Sequence, residues 1–425
     1  MTDRTAPLIA RDAAVFLSQD LSSPCTSSVR RAEGIWIEDH AGRRFMDFHG
    51  NSAHHLGYAH PRILAAIREQ LDQLTFAPRR FACEPATELA EELARIAPGD
   101  LGRSLFLPSG SDAVETALRL ARAVTGRWKT VSFWGSYHGS GFGAAAVGGD
   151  PAWRNRATGP LPTGAEHVAQ YDCHACPYNH PGPDACGLAC ARAVTDILRR
   201  EGDVAAVVAE PMRSWPLIPP SGFWADVRRA CDETETLLIF DEIPTGLGKT
   251  GRMFASSHEG VVPDILVLGK ALGGAVLPLA AVIARRDLDR AAPWSIGHFT
   301  HEKNPVTTRV GLEVLRVIAE EGLADRSAEL GALALERLVG MEGAATGLRH
   351  ARGRGLLLGI EVTDASGRPD AARAERIRKA SLEAGLNFKL SNGATITLSP
   401  PLVIDWSDLD RALSILEAAA DACQP

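Results

Sequence analysis

Two lysines and an aspartate raise the first chemical question. Lys270 directly follows the apolar run ILVLG and precedes the small residues ALGGA. At the end of a buried strand an amine loses hydration and its pKa falls, which suits it to act as a nucleophile or to form a Schiff base. Lysines at strand ends also occur simply as snorkelling surface groups. Asp241 closes another apolar run, TLLIFD, where an unpaired carboxylate is expensive. The second lysine, Lys249, lies in the loop GLGKTG. A phosphate-binding P-loop needs G-x-x-x-x-G-K-[ST], and the position of its first glycine is Ile243 here, so the pattern fails. Lys249 therefore reads as a surface loop residue.

A better phosphate seat is the segment Pro108-Ser109-Gly110-Ser111-Asp112, which joins a strand to a helix and leaves backbone N–H groups unpaired at the helix start. Ligands of open α/β sheets gather at the carboxyl ends of the strands, so these groups can face one crevice. Together they describe pyridoxal phosphate: an aldehyde for Lys270, a pyridine nitrogen for Asp241, and a phosphate for Gly110 and Ser111. Tyr137, in SYHG after another strand-like run, can stack on the ring.

The elements that must position these groups follow from periodicity. RSLFLPSGSDAVETALRLARAVTG reads as strand, glycine turn and helix, with Val114, Leu118 and Ala121 at helical spacing. KTVSFWGSYHG, VAAVVAEP, TLLIFDEI, DILVLGKAL and PLAAVIAR each read as a buried strand. The alternation predicts an α/β fold, a mostly parallel sheet flanked by helices on both faces. From about Pro305 long amphipathic helices surround two strand-like pieces, RGLLLGIEV and ATITLSPPLVI, which predicts a smaller α+β domain over 305–425. Residues 56–304 form the large domain on this reading. Residues 1–55, with two strand-like runs around His-Ala-Gly, are expected to pack on the small domain.

A chain of 425 residues with 45% hydrophobic content can bury a sizeable core. Its net charge of -7 offers no basic footprint for nucleic acid or an anionic membrane. No apolar run approaches the ~20 residues that span a bilayer, and the N-terminal residues lack the layout of a signal peptide, so a cytoplasmic protein is expected. The eight cysteines are too sparse for a disulfide scaffold. Cys173, Cys176, Cys186 and Cys190 cluster in sequence, but the second spacing is that of a helical turn, and packed thiols are expected rather than metal.

Nearly end to end, the motifs PSGSDAVETALRLAR, SYHGS, AEP at 209–211, IFDEIPTGLGKTGRMFA, PDILVLGKALGG, THEKNP and ARGRGLLLGIEV resemble, in order and spacing, the class III aminotransferases. These are pyridoxal-phosphate enzymes of fold type I with a seven-stranded-type central sheet. The resemblance implies that Lys270 is the Schiff-base lysine and proton shuttle, and that Asp241 pairs with the pyridine nitrogen. It implies that Ser109, Gly110 and Ser111 hold the phosphate, that Tyr137 packs on the ring with His138 beside it, and that Glu210 lies near cofactor and substrate. Thr300 matches a threonine reaching the phosphate of the neighbouring subunit, which implies a homodimer with shared sites.

Two departures bear on function. Pro244 stands where many members carry a glutamine, and Thr397 stands where many amino-acid-using members place an arginine ahead of the PP pair. The loop PRRF supplies Arg79 and Arg80, whose planar forks suit phosphonate oxygens, and His49, Asn51, His54 and His55 add polar density. With these features the chain resembles a lyase branch of the family, the 1-hydroxy-2-aminoethylphosphonate ammonia-lyases. The expected substrate-binding residues are Arg79, Arg80, His54 and His55. An ω-aminotransferase using a 2-oxo acid, and a phospho-lyase acting on an amino phosphate ester, are the alternative readings.

Overall fold

A computed structural model of the chain describes residues 4–20, 22–343 and 346–424. Near the N-terminus lie three short strands, β1 (Arg31–Glu33), β2 (Trp36–Glu38) and β3 (Arg44–Asp47). The central sheet follows: β4 (Leu101–Leu107), β5 (Lys129–Phe133), β6 (Ala165–Val168), β7 (Val204–Ala209), β8 (Leu237–Asp241), β9 (Ile265–Leu268) and β10 (Ala280–Arg285). These seven strands run in the order β4-β10-β9-β8-β7-β5-β6. Only β10 is antiparallel to its neighbours. The connection from β9 through Lys270 to β10 is too short for a crossover helix, so the chain can return only in the antiparallel sense. The expected mostly parallel α/β sheet is what forms, and β6, AEHV, is a strand that periodicity did not reveal.

Every residue of β7, β8 and β9 is buried. Their side chains alternate between two apolar cores. Leu238, Phe240, Leu266 and Leu268 enter one layer, while Ile239, Ile265 and Val267 enter the other. Helices on both faces therefore account for the unbroken apolar runs, since a strand covered twice needs no polar side. Each such Leu, Ile or Phe contributes ~1.5–3 kcal/mol by leaving water.

The helix Gly110–Thr125 begins where the Ser109 side chain accepts from the Asp112 backbone N–H at 3.1 Å. It stops at Gly126, whose φ of 70° is a left-handed conformation that costs glycine little. Its face of Val114, Ala117, Leu118 and Ala121 packs on the sheet.

The C-terminal part contributes β11 (Leu348–Arg354), β12 (Leu357–Val362), β13 (Leu386–Asn387), β14 (Lys389–Ser391) and β15 (Thr395–Leu398). β11, β12, β15 and β14 form an antiparallel sheet in that order. β13 instead adds in parallel to β3, with Leu386 opposite Met46 and Asn387 opposite Asp47. Among the described residues no helix is long and apolar enough to cross a membrane.

One sequence reading needs correction. Lys249 is fully buried, and its Nζ donates to the carbonyl of Pro400 at 2.6 Å. Its own carbonyl accepts from Leu356 N and Ser327 Oγ, both at 3.0 Å. The loop reads as surface because its partners come from far along the chain. Burial lowers the Lys249 pKa to about 7.

Candidate active site

Because β4, β5, β7, β8 and β9 run the same way, their carboxyl ends share one rim of the sheet. Ser109, His138, Glu210, Asp241 and Lys270 all sit at or just beyond those ends. Asp241, at the last position of β8, is buried. Its Oδ2 lies 2.8 Å from His138 Nδ1, and its Oδ1 accepts from the Ile243 N–H at 3.1 Å. These two contacts leave a buried carboxylate fixed and oriented at the sheet rim, as a buried charge requires. His138 in turn lies 3.5 Å from Ser132 Oγ through Nε2.

Lys270 follows β9 and opens a short 3₁₀ turn with φ of 45°. That left-handed conformation in a non-glycine residue costs ~1–3 kcal/mol and persists only where the surroundings impose it. Desolvation lowers the Lys270 pKa, opposed by the charges of Asp241 and Glu210, while Lys389 adds to the lowering. A lysine so placed is a better nucleophile and proton acceptor than one in water. Glu210, beyond β7, is buried against Arg213 and accepts from the Ser214 N–H at 3.1 Å.

A pocket of roughly 390 Å³ opens onto Lys270, and its walls include His49, Tyr137, Trp153, Pro244 and Lys389. The Tyr137 and Trp153 rings stand 5.1 Å apart at a tilt, forming one wall. The helix start at Gly110 abuts the same region. A Cβ on Gly110 would come within 2.7 Å of Ile243 Cδ1, and one on Gly139 within 2.8 Å of Ser111 Cα. The Ser140 N–H donates to Ser111 Oγ at 3.1 Å, tying the phosphate seat to the loop that carries Tyr137 and His138. At Gly139, whose φ is 130°, glycine lets the two backbones approach, while at Gly110 the space is filled by the Ile243 side chain.

This donor set fits pyridoxal phosphate: a desolvated amine, a buried oriented carboxylate, an aromatic wall and a helix N-terminus with free N–H groups. Other expected residues lie elsewhere. His54 and His55 are buried behind the pocket, with Nε2 atoms 2.9 Å from the Asp47 carbonyl and 3.2 Å from the Gly246 carbonyl. Burial lowers the His54 pKa to about 4 and that of His55 well below its ordinary range. Their neighbours His49 and Asn51 line the pocket instead. Arg79 and Arg80 do not line it, and Arg80 and Thr300 are solvent-exposed. Lys389, Ser399, Trp153 and Asp150 were not singled out from sequence. Lys389 lies in a three-residue strand with no apolar signal, and Ser399 is legible only as the residue before the PP pair.

The four clustered cysteines line one small cavity, yet among the described residues no group of three or more His, Cys, Asp or Glu side chains is placed to hold a metal ion. Burial raises the Cys190 pKa to about 11, which keeps that thiol protonated at neutral pH.

The family model for aminotransferase class-III matches residues 18–420. The (R)-1-hydroxy-2-aminoethylphosphonate ammonia-lyase of Vibrio splendidus (strain 12B01) is 38% identical, over 99% of this chain and 91% of that protein. The acetylornithine aminotransferase of Methanopyrus kandleri is 34% identical over 92% of this chain and 93% of its own length. Among solved structures, a Bacillus anthracis aminotransferase superposes with a TM-score of 0.90 at 30% identity, covering 98% of both chains. A PLP-bound amine transaminase from an uncultivated Pseudomonas species gives 0.88 at 29% identity, covering 96% of this chain and 98% of its own. The sheet, the rim of functional groups and these likenesses agree: the chain is a fold type I, pyridoxal-phosphate-dependent enzyme, and it belongs to the class-III aminotransferase family.

Proposed function

We propose that the protein is an ammonia-lyase acting on 1-hydroxy-2-aminoethylphosphonate. The observation that carries this reading is the likeness to the Vibrio splendidus ammonia-lyase over nearly the whole chain, 38% against 34% for the acetylornithine enzyme. Two pocket residues support it. Thr397 and Pro244 both line the wall around Lys270, where many aminotransferases of the family carry an arginine and a glutamine.

When bound, pyridoxal phosphate supplies an aldehyde that condenses with the substrate amine and a ring that accepts the electron pair released on the adjacent carbon. The chain's own groups do the rest. Ser109, Gly110 and Ser111 would hold the phosphate at the helix start. Asp241, fixed by His138, would pair with the pyridine nitrogen. Tyr137 and Trp153 would wall the ring face. Lys270 Nζ removes the proton from the carbon bearing nitrogen and, once protonated, assists departure of hydroxide from the neighbouring carbon. The enamine released becomes an imine, which water hydrolyses to phosphonoacetaldehyde and ammonia. The water lost in the elimination is regained in the hydrolysis, and no amino acceptor is consumed.

On this reading 2-aminoethylphosphonate, which lacks the departing hydroxyl, yields no ammonia without an oxo acid. Equal ammonia release from both compounds would sink the elimination. A second reading, transamination between an amine and a 2-oxo acid, is supported by the ornithine aminotransferase relatives at 33% identity. A homodimer with Thr300 serving the neighbouring site, and cytoplasmic residence, belong to the same proposal.

A further inference from the structure

Of the two ammonium groups that line the pocket, Lys270 is committed to the carbonyl chemistry. The side chain of the other, Lys389, has no hydrogen bond or ion pair among the described residues. It is the first residue of β14, directly opposite Thr397 of β15. That register places Lys389 on the same pocket as Thr397, Ser399 and Lys270.

Ser399 is 4% exposed, lines that wall, and its Oγ has no partner. A buried hydroxyl without a partner is costly unless a ligand completes it. The Thr397 hydroxyl is different, since it already donates to Ser391 Oγ at 3.0 Å. Lys389 is solvent-exposed at the pocket mouth; partial desolvation lowers its pKa, Arg213 adds to the lowering, and Glu210 and Asp150 oppose it. Neither carboxylate comes within ion-pair distance, and Glu210 is engaged by Arg213. An ammonium without a side-chain partner and a free buried hydroxyl on one pocket present donors to a compact anion. Lysine is a point charge with three donors that rotate, and it binds phosphate-like groups in that way.

We propose that Lys389 and Ser399 anchor the phosphonate of the substrate amine and so decide which amines the pocket accepts. This rests on the lyase reading above. Arg79 and Arg80, the pair expected from sequence, do not line this pocket in the single chain. With the phosphonate fixed on the β14–β15 wall, the amine end of a two-carbon chain faces Lys270.

The test uses holoenzyme of the wild type, Lys389→Gln and Ser399→Ala. Calorimetric titration with methylphosphonate reads the anchor without turnover, and steady-state kinetics with 1-hydroxy-2-aminoethylphosphonate reads it in the reaction. Loss of one charge-assisted hydrogen bond predicts about tenfold or greater weakening of methylphosphonate binding in Lys389→Gln, with a matching rise in KM. A smaller change of the same sign is expected in Ser399→Ala. In Ser399→Ala, which leaves the charges around Lys270 in place, the cofactor's visible absorbance stays as in wild type. Wild-type enzyme that releases ammonia while Lys389→Gln keeps both its KM and its methylphosphonate affinity overturns the anchor and leaves the lyase reading standing. Wild-type enzyme that releases no ammonia overturns the lyase reading, and the methylphosphonate titration still decides the anchor. Absence of methylphosphonate binding to the wild type also overturns it.

Discussion

Lys249→Met removes an ammonium that the fold holds away from water, and its effect on stability depends on pH in a calculable way. Lys249 titrates at about 7 in the folded chain because burial penalises its charge. An unfolded lysine titrates at ~10.4. Between those values the unfolded chain binds the extra proton, so wild-type stability rises with pH through the window and is flat below it. Each pH unit contributes ~1.4 kcal/mol, so going from pH ~7 to pH ~9 stabilises wild type by ~2–3 kcal/mol relative to the methionine variant. Glu242, whose carboxyl burial raises to about 7, acts in the opposite sense at lower pH and is common to both proteins. The lost hydrogen bond to Pro400 adds a constant cost that cancels in the comparison. The assay is denaturant unfolding of both proteins at the two pH values. A wild-type-minus-variant difference that does not move with pH refutes the argument, because it means Lys249 titrates as an ordinary solvated amine.

Two further outcomes follow from the site. Asp241→Asn keeps the shape at the end of β8 but removes the charge beside His138; turnover is expected to fall on the order of 10²-fold or more while cofactor stays bound, and near wild-type turnover contradicts the electronic role. Ser109→Ala removes the cap of the helix Gly110–Thr125, which costs ~1 kcal/mol and loosens the phosphate seat. Faster cofactor loss on dialysis and a lower unfolding midpoint are the expected readouts, and unchanged retention argues that the seat lies elsewhere.

The large sheet was legible because β7, β8 and β9 are covered on both faces, which leaves an apolar run that few other structures produce. Asp241 and Lys270 stood out for the same reason, as charges set against those runs. Strands without such a signal were missed. β11, LRHARGR, is partly exposed along most of its length, and β14 is three residues led by a lysine. Lys389 therefore had no sequence mark, since its place in the pocket comes from the pairing of β14 with β15. Lys249 was misread for a related reason. Its hydrogen-bond partner Pro400 is remote in sequence, so neither composition nor local spacing reports the burial. His54 and His55 show the converse, polar residues whose partners are backbone carbonyls rather than a ligand.

The account turns on whether the amine leaves without an acceptor. Purified enzyme with pyridoxal phosphate and 1-hydroxy-2-aminoethylphosphonate, assayed with and without pyruvate, measures this directly through ammonia and phosphonoacetaldehyde. The lyase account predicts equal amounts of the two products, unchanged by pyruvate and with no alanine formed. Strict dependence on pyruvate, with alanine in place of ammonia, would contradict it.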